Sequence, residues 1–400
     1  MHTNNNQLAF FELVRAGLWE KEARLLSFGE VDYDEVMRLA EEQSVVGLVA
    51  AGIDRLKESR EDGFAIPLEM KLQFIGQALQ QEQENAAMNR FIETLIEKMR
   101  HSDIYAVLVK GQGVAQCYER PLWRSCGDVD LLLSHDNYDK AKELLVPLSS
   151  SVETEWGYQK HLSMTILETF GTSDQGRADQ WVVELHGSLR TQLSSKVDWL
   201  IDETQKAVFY GGQVRSWMNG KRQVFLPSAD NDVIFIFTHF LKHFYKGGLG
   251  LRQICDWCRL LWIYRNEIDV ELLEKRIRKA GLMTEWKAFG AFAVEVLAMP
   301  VEAMPMYSPA DRWKRKALRI QEFILMSGNM GHNREKSYDE YPYLIKKACS
   351  MGRRINDVAN HARIFPLDSM KFLTSIMFHG ICDAVRGRVI WSHQLSNIFS

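Results

Sequence analysis

Helical periodicity fills both ends of this chain and breaks down in the middle, and that break limits the fold more than any other feature. Leu8, Phe11, Val14 and Leu18, and later Val36, Leu39 and Ala40, recur at spacings of three and four, the period of a helix with one buried face. Pro67 to Arg100 reads as one long helix. It has no internal proline, only Gly76 as a breaker, and is rich in Glu, Gln, Met, Leu and Ala. From Ile104 the pattern shortens. Ile104 to Val109 (IYAVLV) has strand length, and Lys110-Gly111-Gln112-Gly113 leads into a short helix, Val114 to Tyr118. A loop holding Pro121 precedes Asp128 to Leu133 (DVDLLL), a second strand, and Asn137 to Val146 reads as a helix. Further strands are expected at Thr154 to Gly157, His161 to Leu167 and Trp181 to Leu185, the last two as an antiparallel hairpin across the polar stretch Gly171 to Arg177. Two shorter strands near Val214 and Val224, with a turn at Asn219-Gly220, close this part.

This order predicts an α+β fold, with a small mixed β-sheet core flanked by N- and C-terminal helical regions. The expected boundaries are 1–100 for the first helical region, 101–226 for the α/β core and 227–400 for the C-terminal helical domain. Ser228 after Pro227 is the expected cap of the first C-terminal helix. Its buried stripe is Val233, Ile236, Phe237, Phe240, Leu241 and Phe244, and Gly247, Gly248 and Gly250 end it. Further helices are expected at about 253–265, 270–280, 284–297, 310–327, 340–352 and 368–384.

Charge narrows the functional classes. The net charge of −3 gives no bulk attraction to nucleic acid or an anionic membrane, so neither is an expected partner. The basic runs Lys314-Arg315-Lys316 and Arg386 with Arg388 read as solvated helix faces. No uncharged apolar stretch approaches about 18 residues, so no membrane span is expected. Lys242 and His243 interrupt one candidate, and Lys371 and His379 the other. Met1 to Gln7 is polar and does not read as a secretory signal. The six cysteines (Cys117, Cys126, Cys255, Cys258, Cys349 and Cys382) are dispersed, which fits a reducing cytoplasm. Cys255 and Cys258 form a C-x-x-C inside a helical run and read as core residues.

The chemistry begins at Asp128 and Asp130. Residues i and i+2 of a strand project from one face, so two carboxylates lie side by side at the rim of an apolar strand. Such a pair repels unless a cation sits between its members, and oxygen-only ligands suit Mg²⁺. Lys110, Gly111 and Gly113 at a strand-to-helix junction offer a charge and free N–H groups to an anion. Arg124 adds a positive charge just before the acids. Glu184, in Val183-Glu184-Leu185-His186, faces away from its apolar neighbours and supplies a third acid. Phosphate donors plus three acids are what metal-assisted phosphoryl or nucleotidyl transfer needs.

Taken in order, K-G, R-x-x-G-D-x-D-h-h, h-E-L-H, L-P-S and a long H-x-x-x-H helix ending in G-G resemble the uncharacterised nucleotidyltransferase family of bacteria, a branch of the DNA polymerase β-like superfamily. The matching pieces are Leu108 to Gly113, Arg124 to Leu133, Val182 to Leu189 and Leu226 to Gly248, and the resemblance spans roughly residues 35 to 300. It implies that the sheet is a nucleotidyltransferase core and that Asp128, Asp130 and Glu184 bind metal, two Mg²⁺ ions (or Mn²⁺ in their place). Glu184 would hold the metal near the attacking hydroxyl and help remove its proton, and Gly111 and Gly113 would lie near the triphosphate. Superfamily members typically carry Gly-Ser or Gly-Gly before the acids, whereas this chain has Lys110-Gly111-Gln112-Gly113 without a serine, a departure its family shares.

His161 and His186 fall on adjacent strands around the acids, where they orient Glu184, touch a phosphate or serve the sheet. Arg190 reads as a solvated helix start. His239 and His243, at i and i+4, read as a polar helix face, and Trp257, Trp262 and Trp286 as core. The expected activity is transfer of a nucleoside monophosphate from an NTP substrate to an unidentified hydroxyl acceptor: a small molecule, sugar, peptide or protein. The alternatives are a non-catalytic nucleotide-binding regulatory module, against which all three acids argue, and a nucleic-acid end-modifying enzyme, against which the charge argues.

Overall fold

Residues 4–56, 66–154, 160–167, 180–246, 248–328, 360–372 and 374 are described by the structure, a computed structural model. Three short helices come first: α1 (Asn5–Trp19), α2 (Tyr33–Glu42) and α3 (Val46–Ile53). Asn4 caps α1 by accepting from the Gln7 N–H, and Asp32 caps α2 by accepting from Asp34 and Glu35. α1 and α3 meet at backbone contact. A Cβ on Gly17 would lie 2.0 Å from the Leu48 carbonyl oxygen, and one on Gly52 2.1 Å from that of Leu13. The long helix follows as α4 (Leu68–His101), with Lys98, Arg100 and His101 in its last turn, where positive charge complements the helix dipole.

The middle of the chain supplies β1 (Ala106–Val109), α5 (Gly111–Ala115), β2 (Asp128–Leu133), α6 (His135–Leu145), β3 (Ser149–Thr154), β4 (His161–Leu167), β5 (Gln180–His186), α7 (Ser195–Phe209), β6 (Val214–Asn219) and β7 (Arg222–Pro227). Among the described residues these strands form one sheet of seven, in the order β3-β4-β5-β2-β1-β7-β6. β2 runs parallel to β5 and β1 to β7, while the other neighbouring pairs are antiparallel. The sheet is therefore mixed, as expected.

Strand alternation gives the sheet two unlike faces. Leu108, Val129, Leu131, Leu133, Leu162, Met164, Val183 and Leu185 point to one side and form a core with Phe91, Ile92 and Leu95 of α4 and Tyr138, Ala141 and Leu145 of α6. The intervening residues of β2, β4 and β5 face the other way.

Over that other side lie the C-terminal helices α8 (Ala229–Lys246) and α9 (Leu251–Ile263), and the chain continues as α10 (Val270–Ala280), α11 (Met283–Glu295) and α12 (Asp311–Ser327), with further helical residues at 360–364 and 366–372. Phe237, Phe240, Phe244, Trp257, Trp286 and Phe289 are fully buried there, and several of their ring pairs meet edge to face. One apolar core joins these helices to α1, α2 and α3 and reaches the sheet at Val107, Val109 and Leu132. Residues 100 and 226 thus mark changes of secondary structure, while the buried core crosses both.

Several local expectations shift. The strand expected at Thr154 to Gly157 lies earlier, as β3, and residues 155–157 are outside the described residues. The short helix expected at Val114 starts at Gly111 instead, so the glycine-bearing stretch is itself helical. Asn219 pairs with Arg222, leaving Gly220-Lys221 as the hairpin loop, with Gly220 at φ 56°, as a two-residue loop with glycine first requires. The Ser228 carbonyl receives the Asp232 N–H, but its hydroxyl makes no capping bond. The helix at 340–352, most of that at 368–384, the turn Gly171 to Arg177, and Gly247, Cys349, His379, Cys382, Arg386 and Arg388 lie outside the described residues. Cys255 and Cys258 are buried, unbonded core thiols, and burial pushes both thiol pKa values up, which keeps them unreactive. Among the described residues no helix is long and apolar enough to cross a membrane.

Candidate active site

The register of three strands gathers the polar residues. β2 and β5, running parallel, set Asp130 opposite Glu184, and β4, antiparallel to β5, sets His161 opposite His186. Residues i and i+2 share a face, so Asp128, Asp130, Glu184, His186 and His161 all project from the side that the C-terminal helices cover. Lys110 follows the end of β1 with a left-handed φ of 58°, a conformation that is strained for a residue with a side chain. Its ammonium donates to Asp130 Oδ1 at 2.8 Å. His186 Nε2 lies 2.6 Å from Asp130 Oδ1 and 3.3 Å from Glu184 Oε2, and His161 Nε2 lies 3.2 Å from Glu184 Oε2.

The two aspartates are treated unequally. Asp130 is 2% exposed, and burial pushes its pKa up, but Lys110 and His186 outweigh that and hold it below the ordinary range. Asp128 has no such contact. The charge of Asp130 first, and burial second, push its carboxyl up to about 6. For Glu184 burial acts upward, but the hydrogen bonds from His161 and His186 dominate and hold it well below the usual carboxylate range. Burial pushes Lys110 down, and the charges of Asp130 and Glu184 more than reverse it. Asp130 is thus compensated by neighbouring cationic and imidazole groups of the chain, whereas Asp128 is not. Asp128, Asp130 and Glu184 offer oxygen donors of the kind that a divalent ion takes.

A cavity of about 250 Å³ opens over these residues. The sheet forms one wall with Lys110, Gly111, Asp128, Asp130, His161, Glu184 and His186, and α8 and α9 form the other with His239, Lys242, His243 and Arg252. Gly111 combines a positive φ of 40° with a close approach, since a Cβ there would lie 3.2 Å from Cys126 Sγ. Gly113 packs away from the cavity: its Cβ would meet Leu226 Cδ2 at 2.8 Å.

Arg124 lines the cavity, but its guanidinium fork is turned to Asp256 of α9, with Nη2–Oδ2 at 2.6 Å and Nε–Oδ1 at 3.1 Å. Tyr118 donates to the same carboxylate at 2.8 Å. The expected phosphate ligand is thus a buried clamp between the loop before β2 and a C-terminal helix. Arg252, one turn before Asp256, is the cavity cation that sequence reasoning missed. Its Nη1 donates to the Ser125 carbonyl at 2.7 Å, and burial and the neighbouring Arg124 push its pKa down. The only sequence signal was an R-x-x-x-D spacing on α9. Arg190 lies in the loop before α7 rather than at a helix start; it is half-exposed, paired with Asp202, and lines the cavity. His239 and His243 lie in the cavity wall with Nε2 atoms 3.0 Å apart, and burial, followed by the charge of Lys110, pushes His243 down to about 4.

A sequence profile described as uncharacterised nucleotidyltransferase matches residues 29–298. A search of curated proteins finds no match to the chain. Among solved structures, an antigenic nucleotidyltransferase-like protein from Paracoccidioides brasiliensis is similar at 12% identity, covering 53% of this chain and 93% of that one with a TM-score of 0.32. The profile spans well over half of the residues, including every strand of the sheet and both walls of the cavity: the chain belongs to the uncharacterised nucleotidyltransferase family.

Proposed function

We propose that this chain moves a nucleoside monophosphate from an NTP to a hydroxyl acceptor and releases pyrophosphate, with Asp128, Asp130 and Glu184 as the residues that hold divalent cations, two Mg²⁺ ions or Mn²⁺ in their place. The observation that carries the reading is the β2–β5 register, which sets Asp130 against Glu184 with Asp128 on the same face at the floor of a cavity. Bound there, divalent cations would neutralise the triphosphate and lower the pKa of the attacking hydroxyl.

The chain's own residues do the rest. Asp128 and Asp130 would hold the cations to which the negatively charged α-phosphate binds. Glu184, kept ionised by His161 and His186, would hold the cation that helps the acceptor hydroxyl lose its proton. Lys110 and Gly111 stand beside the triphosphate, and Arg252 adds a charge from the opposite wall. In this reading residues 101–226 carry the chemistry and the helices of 227–400 close the cavity over it. The acceptor is a small molecule, sugar, peptide or protein hydroxyl. The unbonded thiols of Cys117, Cys126, Cys255 and Cys258 support a cytoplasmic setting. Pyrophosphate release from a panel of NTPs with Mg²⁺ and a panel of candidate hydroxyl acceptors tests the reading. Asp130→Asn is expected to abolish it, and unchanged turnover in that variant would refute it.

A further inference from the structure

Glu184 is flanked by nitrogen. His161 Nε2, Glu184 Oε2 and His186 Nε2 all lie within 4.8 Å of one another, and each imidazole nitrogen is 3.2–3.3 Å from the carboxylate oxygen. Ligand bonds of about 2.1 Å place neighbouring ligand atoms roughly 3.0–3.4 Å apart at octahedral or tetrahedral angles. The nitrogen–carboxylate spacings match those of a coordination sphere. The arrangement is fixed by backbone pairing rather than by loops. His161 and His186 are register partners, and Glu184 is two residues from His186 on the same strand face.

Two imidazoles do not fit magnesium chemistry, which takes oxygen ligands. They suit first-row transition cations, and two histidines with one glutamate, leaving positions open for water or substrate, are a zinc ligand set. We infer that His161, Glu184 and His186 form a mixed nitrogen–oxygen site for Zn²⁺, beside the oxygen-only pair Asp128 and Asp130. The site rests on the transferase reading and alters it at one point, with Zn²⁺ in place of Mg²⁺ at Glu184 and Mg²⁺ left to the aspartate side, and it is tested by binding alone, without nucleotide.

The test is titration of the metal-free full chain with Co²⁺, a coloured substitute for Zn²⁺. One equivalent is expected to give visible absorption bands of a nitrogen-ligated four- or five-coordinate ion. Equimolar Zn²⁺ is expected to bleach them, and a large excess of Mg²⁺ to leave them intact. His161→Gln should weaken Co²⁺ binding by at least about tenfold. The histidine ring resonances of the unmodified chain should shift or broaden as Co²⁺ is added, a readout that needs no variant. Ready displacement by Mg²⁺, unmoved histidine resonances, or wild-type bands and affinity in His161→Gln would each overturn the site. Asp128→Asn separates the two proposals: retained Co²⁺ bands are expected there alongside lost NTP turnover. Absence of turnover in the unmodified chain with intact bands would break the transferase reading and leave the zinc site standing.

Discussion

The two faces of the same three strands obey opposite physics. On one, Val129, Leu131, Leu133, Val183 and Leu185 are at most 1% exposed and packed under α4 and α6. On the other, the alternate residues of β2, β4 and β5 crowd three carboxylates, two imidazoles and the Lys110 ammonium around a cavity. The apolar face sets the register, because a slip of one residue would send Val129, Leu131 and Leu133 to the wrong side. The polar face inherits that register as an alignment of charges it has no means to create by itself. Stability and chemistry are thus carried by residues that alternate along one strand.

The largest effect that sharpens this contrast is on the polar face. Asp130→Asn is expected to lower NTP turnover by at least about 10³-fold. The apolar core should survive, read as an unchanged near-ultraviolet circular dichroism spectrum. Next comes the clamp that holds the far wall. Arg124→Ala leaves Asp256 buried without its cation and should cost about 3–5 kcal/mol in urea unfolding. Leu131→Ala on the apolar face should cost about 2–5 kcal/mol, with turnover per folded molecule nearly unchanged. A Leu131 variant that folds stably but loses turnover would show that the two faces are not separable.

The smallest effect reverses sign. Asp128 titrates at about 6 in the folded chain against a reference value of 3.8. Between those values the folded chain binds the extra proton, so this group makes stability fall as pH rises from about 4 to 6, and the loss persists above. Asp128→Asn removes that loss. It is expected to stabilise the metal-free protein by up to about 3 kcal/mol at pH 7.5 and by nothing near pH 4, measured by urea midpoints. The same titration makes Mg²⁺ compete with a proton, so apparent Mg²⁺ affinity should fall as pH drops below about 6 in calorimetric titrations.

What sequence reading recovered follows from how local each feature is. The shared face of Asp128, Asp130 and Glu184 is legible because strand alternation decides it within a few residues. His161 and His186 were placed on neighbouring strands for the same reason, but their meeting at Glu184 needed the β4–β5 register. The start of β3 at Ser149 is not announced, because SSSVET has only Val152 as an apolar marker, and that side chain is itself exposed. α5 was read late because glycines argue against a helix, and tertiary packing overrides that weak preference. The pairing of Arg124 with Asp256 is illegible in the sequence because Asp256 lies far along the chain on α9. The glycine crossing of α1 and α3 was illegible for a similar reason: nothing local to Gly17 or Gly52 announces the backbone of Leu48 or Leu13.

The most direct measurement is a crystal structure of the full chain with Mn²⁺ and a non-hydrolysable NTP analogue, with manganese located by anomalous scattering. Manganese between Asp128, Asp130 and Glu184, with the α-phosphate facing those carboxylates, is the predicted result. A nucleotide bound away from β2 and β5, or manganese absent from the three acids with nucleotide in the cavity, would contradict it.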